Sequence, residues 1–181
     1  MARNKILSRT NPLTQDEKNA WFKSHLPYIR VSLTNHLRVC GNPNLFGTMT
    51  EDERHRARIC TYEIGVVTCR RFIEFLGMSI AYNPYRLIQK RDYYAALEDG
   101  NAYEVKVIDL GGKWVDIATL SDAEKDLLTR IYLTGHRASV HLTDSSPYQG
   151  EWKIFEDAVK LVDSLLKSHL FDEIGLSPSI Q

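Results

Sequence analysis

The chain has 181 residues, 43% of them hydrophobic and 25% charged, with no low-complexity tract, which is the profile of one soluble globular domain spanning 1–181 rather than of two small cores. No apolar run approaches the roughly 20 residues that cross a bilayer, and the N-terminus MARNKILSRTNPL lacks the apolar core of a secretory signal, so no membrane association is expected and the cytoplasm is the expected compartment. The net charge of zero is unevenly spread: 15 basic against 7 acidic residues over 1–91 give +8, and 8 against 16 over 92–181 give −8, so the halves either pack on each other or present one basic face to nucleic acid.

Thr14 to Glu17 (TQDE) reads as a capping box, in which the Thr hydroxyl and the Glu carboxylate each take up an amide of the first turn. The helix it opens carries Phe22, Leu26, Ile29, Leu33, Leu37 and Cys40 at steps of three and four, a core-facing stripe. Pro27 is expected to bend or divide this helix near Leu26, and Gly41-Asn42-Pro43 to end it. Thr50 to Glu53 (TEDE) is a second capping box. Its helix is expected to run to Leu76 with Gly77 as its stop, and its inward stripe is Ile59, Tyr62, Val66, Cys69, Ile73 and Leu76. Arg54, Arg56, Arg58, Arg70 and Arg71 decorate its other faces. Within that set, Arg54, Arg58, Arg70 and Arg71 are the candidate phosphate contacts, the alternative being a solvated helix face.

The middle of the chain changes character. Tyr103-Glu-Val-Lys-Val alternates with period two, Gly111-Gly112 offers a two-residue turn, and Trp114 to Ile117 resumes extended character, which together predict a β-hairpin. Residues 84–97 read in two ways: Tyr93 to Leu97 as a further strand, or a helix opened by Pro84 at its first position. A third capping box, Ser121 to Glu124, starts a helix expected to reach Thr143. A final helix is expected from about Glu151 to Phe171, with Trp152, Phe155, Val159, Val162, Leu165, Leu166 and Leu170 inward. The fold class is therefore mainly α: four long helices in a bundle, with a small antiparallel β-hairpin or meander at about 93–119 between helices two and three.

Cys40, Cys60 and Cys69 form no C-x-x-C pair and are expected as buried reduced thiols. The six histidines are scattered. His136 and His141 lie about 140° apart on a helix, so no metal and no cofactor are expected. Tyr82, Tyr85, Tyr93, Tyr94 and Tyr103 are a candidate base-stacking set, or else cover the helix ends as core and rim.

One constellation looks like chemistry. At about 100° per residue, the helix from Ser121 places Leu127, Ile131, Ala138 and Leu142 on one arc and Arg130, Thr134, Arg137 and His141 on the arc beside it. Arg137 and His141 are four apart and share a face. An imidazole that exchanges a proton near neutral pH beside a fixed guanidinium suits metal-independent cleavage of RNA, whose ribose hydroxyl is an internal nucleophile, and Arg130 is placed to hold a neighbouring phosphate. The other reading is a structural ion-pair network.

A helical bundle whose penultimate long helix ends in Arg…His-Leu-Thr, followed by a loop and a last amphipathic helix, resembles the HEPN superfamily, most closely over Arg130 to Thr143. Many HEPN proteins are metal-independent RNases of toxin–antitoxin and phage-defence systems, with Arg-x4–6-His motifs assembled across a dimer. The resemblance implies a homodimer, RNA as partner or substrate, and Arg137, His141 and Arg130 as catalytic residues. The sequence departs from the motif: Arg130-x5-His136 has the spacing but puts the two residues about 120° apart, three residues separate Arg137 from His141, and Ala138 stands where Asn or Asp is expected. Such departures also fit the non-catalytic members of the superfamily. The contrasting expectation is a non-catalytic helical module that works by oligomerisation or partner binding.

Overall fold

In the computed structural model, residues 4–6, 11–42, 47–95, 104–140 and 152–176 are described below. A short strand β1 (Asn4–Ile6) precedes the first helical rod, which is built of α1 (Gln15–Ala20), a π-turn (Trp21–His25) and α2 (Leu26–Gly41) in unbroken succession. The Thr14/Glu17 capping box opens it as expected, the Thr14 amide donating to Glu17 Oε2 at 2.7 Å and the Glu17 amide to Thr14 Oγ1 at 3.3 Å. The expected break at Pro27 is instead a wide turn. Pro27 has no N–H and its ring would press on the carbonyl four residues back. One extra residue in the preceding turn, closed by the Leu26 amide on the Trp21 carbonyl, lets the rod continue.

Helix α3 (Glu51–Phe75) is the centre of the bundle, packed on α2 and on two later helices, α4 (Asp122–Val140) and α5 (Trp152–Leu166). Its capping box at Thr50/Glu53 is formed. Of the predicted inward stripe, Tyr62, Val66, Cys69, Ile73 and Leu76 are buried and Ile59 is only partly so. Gly77, with φ of 84°, ends the helix, and the Trp114 ring lies where a Cβ at this position would be. Only glycine meets both conditions.

The β-hairpin follows immediately, earlier than predicted. β2 (Met78–Ala81) and β3 (Arg86–Gln89) pair antiparallel from Met78↔Gln89 to Ala81↔Arg86, across a tip of Tyr82, Asn83, Pro84 and Tyr85 with Asn83 at φ 62°. β4 (Tyr93–Ala95) then pairs with β1 through Lys5↔Tyr94, so residues 84–95 hold two strands and no helix.

Over 104–117 the predicted hairpin is absent. Val107–Leu110 is a 3₁₀ turn capped by Asp109, whose carboxylate accepts the Lys106 amide at 2.7 Å, and Gly111 closes it at φ 95°. A second 3₁₀ turn, Ile117–Thr119, leads to α4. The backbone donors that a hairpin would have paired locally go to helix ends instead: Lys113 to the His169 carbonyl at 2.8 Å and Val115 to the Leu76 carbonyl at 3.2 Å. Tyr103 and the Glu98 to Asn101 turn lie outside the described residues.

α4 begins with the predicted Ser121/Glu124 box. The last rod is α5, a π-turn (Lys167–Phe171) and α6 (Asp172–Ile174). Buried residues from all four rods join one cluster in which Leu33, Val66, Ile131, Phe155 and Leu166 are shielded almost completely. The basic and acidic halves meet in a bidentate pair, Arg30 donating to both carboxylate oxygens of Asp163 at 2.7 and 3.0 Å, with its guanidinium 5.5 Å from the Phe171 ring centre. The cysteines divide. Cys69 is buried, whereas Cys40 and Cys60 are exposed, because Cys40 lies near the end of α2 and Cys60 on the outer face of α3.

Candidate functional site

α4 packs against α3, α5, β2 and β3. Its inward face is therefore broader than the predicted arc and centred elsewhere. Leu128, Ile131, Tyr132 and Gly135 are buried and Leu127 only partly so. Within the predicted stripe, Thr134 turns inward, its hydroxyl donating to the Arg130 carbonyl at 3.0 Å, while Arg130 turns outward with half its side chain exposed. The carboxylate paired with Arg130 is Asp126, one turn back at 3.9 Å, itself 69% exposed. Such a pair contributes about 0–1 kcal/mol, so the guanidinium is available to a ligand. Arg137 lies two turns further along the helix. Its side chain, and His141 altogether, fall outside the described residues.

The four candidate phosphate contacts on α3 do not gather into one patch. Arg54 and Arg58 stand near its N-terminus, Arg54 at 2.9 Å and Arg58 at 3.7 Å from Glu51. Arg70 and Arg71 lie 12 to 17 residues further on, about 18–26 Å along the axis. Arg70 donates to Glu74 at 3.2 Å, whereas Arg71 is exposed and, among the described residues, makes no ion pair.

Arg70 belongs to a network that sequence spacing did not point to. Tyr132 donates its hydroxyl to Glu74 Oε1 at 2.5 Å and lies 3.4 Å from Ser79 Oγ, and the Arg70 guanidinium stacks 5.1 Å from the Tyr132 ring centre. Burial, reinforced by the Glu74 hydrogen bond, pushes the phenol up to about 12. Lys106 closes the network below, its ammonium donating to the Glu74 carbonyl at 3.2 Å and to Glu104 at 3.0 Å. Arg70 and Glu74 are legible as an i,i+4 pair. Tyr132 is 58 residues from Glu74, and only the fold brings it there.

A second pair is legible in hindsight, since His36 and Cys40 are also four apart. The Thr61 hydroxyl lies 3.0 Å from the Arg58 carbonyl and 3.0 Å from His36 Nδ1, and His36 Nε2 faces Cys40 Sγ at 3.3 Å. Burial lowers the imidazole pKa, and partial desolvation where the otherwise exposed Cys40 meets His36 raises that of the thiol. Both partners are thereby kept neutral, the reverse of the thiolate–imidazolium pair that an activated nucleophile requires. A cavity of about 190 Å³ opens between the π-turn of the first rod and the end of α3, with Trp21, Leu26, Ile29, Phe72 and Phe75 in its wall and Arg71, Glu74, Glu104 and Lys106 also lining it. Among the described residues no three His, Cys, Asp or Glu groups are disposed to hold a metal ion, and no helix is long and apolar enough to cross a membrane.

The tyrosine set is split by the fold. Tyr93 is buried with its hydroxyl 3.3 Å from Asp109, whereas Tyr82 and Tyr85 flank the hairpin tip and are more than half exposed. Comparison of the chain with protein-family models, with curated proteins and with solved structures finds no match.

Proposed function

We propose that this chain is an RNA-binding helical domain of the HEPN kind that uses the outward face of α4 and works as a homodimer. Arg137 and His141 are the residues proposed to act on the phosphodiester. The observation that carries the reading is Arg130: it projects from a long, capped helix into solvent, its ion pair among the described residues is with an exposed carboxylate at 3.9 Å, and Arg137 follows seven positions later in the same helix. A cation on a rigid element loses little further freedom on meeting a phosphate, and a composite site between two copies needs its basic face outside the bundle core.

A second reading, a non-catalytic module that binds a partner protein, is favoured by the ion pairing of Arg54, Arg58 and Arg70 with carboxylates of their own helix. One experiment separates the two. RNA binding is measured over a range of salt, and cleavage is followed in EDTA, for the wild type and for Arg130→Ala, Arg137→Ala and His141→Ala. The RNA reading expects each Arg variant to flatten the salt dependence by about one phosphate contact, and His141→Ala to abolish any cleavage with binding retained. Absence of both salt-dependent binding and cleavage in the wild type leaves the partner-binding module.

A further inference from the structure

We infer that the β2–β3 hairpin tip is a stacking platform for unpaired bases, so that the RNA taken by this domain is single-stranded; this rests on the RNA reading of the α4 face. Tyr82 and Tyr85 are 57% and 58% exposed, in contrast to Tyr62, Tyr93 and Tyr132, whose exposure is 5% or less. They are not loosely placed. Each adjoins the last rung of the ladder, Ala81↔Arg86, and their rings lie 5.6 Å apart at 72°. Two large rings set on a short turn and left in water are surface that binding of a flat partner would cover.

The charge around them selects that partner. From Phe75 to Arg91 the chain has no Asp or Glu and three cations, Arg86, Lys90 and Arg91. Arg86 follows Tyr85 directly at the tip, is exposed, and among the described residues engages no side-chain partner, whereas Lys90 and Arg91 stand at the opposite end of the hairpin, where the Lys90 amide donates to the Gly77 carbonyl. Two aromatic faces beside an uncommitted guanidinium match a chain that carries bases and phosphates in alternation. An acidic peptide would answer the charge and leave the rings unused. Duplex RNA would answer the charge too, but its bases are already stacked and their faces closed to side chains. The angle between the rings adds a detail: faces inclined at 72° cannot share one base, so each ring takes its own nucleotide and the two bases are splayed. Because β2 and β3 pack against α4, the platform is held on the element that presents Arg130.

The test measures fluorescence anisotropy of a labelled 2′-O-methyl oligoadenylate, which lacks the internal nucleophile, alone and annealed to oligouridylate. Tyr82→Ala/Tyr85→Ala is expected to weaken single-strand binding by roughly tenfold or more, as loss of stacking on two rings implies. Tyr82→Phe/Tyr85→Phe, which keeps both rings, is expected to bind as the wild type does. Arg86→Ala should lower affinity and reduce the salt slope, and duplex binding should not respond to the Ala pair. Equal single-strand affinity of the Ala pair and the wild type overturns the inference, as does a Phe pair that loses as much as the Ala pair. If Arg130→Ala weakens binding while the Ala pair does not, the platform fails and the α4 reading stands. A wild type that binds neither probe removes both, and an Ala pair that dissociates a homodimer without changing RNA affinity assigns the tip to protein contact instead. The variants alter exposed side chains, and an unchanged thermal melt confirms that the fold is intact.

Discussion

Gly135 offers the sharpest test of how α3 and α4 approach each other, because two opposed contributions meet at one atom. In a solvent-facing helical position, Gly→Ala is expected to stabilise by roughly 0.5–1 kcal/mol through the lower backbone entropy of the unfolded chain. At Gly135 the added Cβ would stand 2.7 Å from the Val66 carbonyl oxygen and 3.2 Å from Arg70 Cβ. The nearest obstacle is backbone in the middle of a helix. It cannot rotate away, so the two helices must separate by several tenths of an ångström, and crowding of this kind costs about 1–3 kcal/mol. The same interface carries the 2.5 Å Tyr132–Glu74 hydrogen bond, which separation would stretch. The cost is therefore expected in the upper part of that range, leaving Gly135→Ala destabilised by about 1–2 kcal/mol net.

For a chain of this length that is a fall in Tm of roughly 2–8 °C, readable by far-UV circular dichroism and by the midpoint of urea unfolding. Adding Val66→Ala is expected not to restore stability, since the clash is with the Val66 backbone and not its side chain. A Gly135→Ala protein more stable than the wild type would refute the close approach. Rescue by Val66→Ala would place the conflict on the wrong atom.

Two further predictions concern the buried polar groups. Tyr132→Phe removes the donor to Glu74, and because Glu74 keeps Arg70 and some solvent contact, the loss is expected at about 1–2 kcal/mol, the low end for a bond to a charged acceptor. Since the folded-state pKa of Tyr132 is raised from 10.0 to about 12, wild-type stability should fall as pH rises through that interval, and urea midpoints should show a shallower fall in the Phe variant. His36 is perturbed in the opposite direction: burial depresses its folded pKa, so the stability it supports is complete above the unfolded value of 6.5 and is lost as pH falls below it. His36→Gln should flatten the decline in urea midpoint between about pH 7 and pH 5, and an unchanged decline would assign the acid sensitivity to other groups.

The parts of the fold that were legible are those whose causes lie within a few residues. The three capping boxes at Thr14, Thr50 and Ser121 are interactions of one turn, and all three are formed. The stripe of α3 was readable from Tyr62 to Leu76 because its apolar residues recur on one face, and contact with α2, α4 and α5 also buries Thr68, Phe72 and Phe75 beside it. The hairpin was misplaced because MSIA and RLIQ are only four residues each, and Asn83-Pro84 is as good a helix start as a turn. Residues 104–117 have strand-like alternation, but their amides are taken by the His169 and Leu76 carbonyls, and no local pattern announces such a choice. On α4 the period of the stripe was visible and its centre was not. A helix packed against several elements, here α3, α5 and the β2–β3 hairpin, buries a wider arc than one packed against a single element, and on α4 Thr134 is buried while Arg130 is exposed.

The same contrast governs the candidate site. Whether a helical cation is committed can be read from its neighbours at three and four residues, as Arg54 with Glu51 and Arg70 with Glu74 show. The acid-free run from Phe75 to Arg91 was equally visible as a line of letters, yet a run of cations and tyrosines has no direction until the chain folds. The hairpin supplies it. By pairing Met78–Ala81 with Arg86–Gln89 it buries Ile80 and Leu87 and leaves Tyr82, Tyr85 and Arg86 together at the exposed end. A core-facing strand pair and a solvent-facing aromatic tip are thus two consequences of one turn, and the residues that the core does not use are those free to meet a ligand.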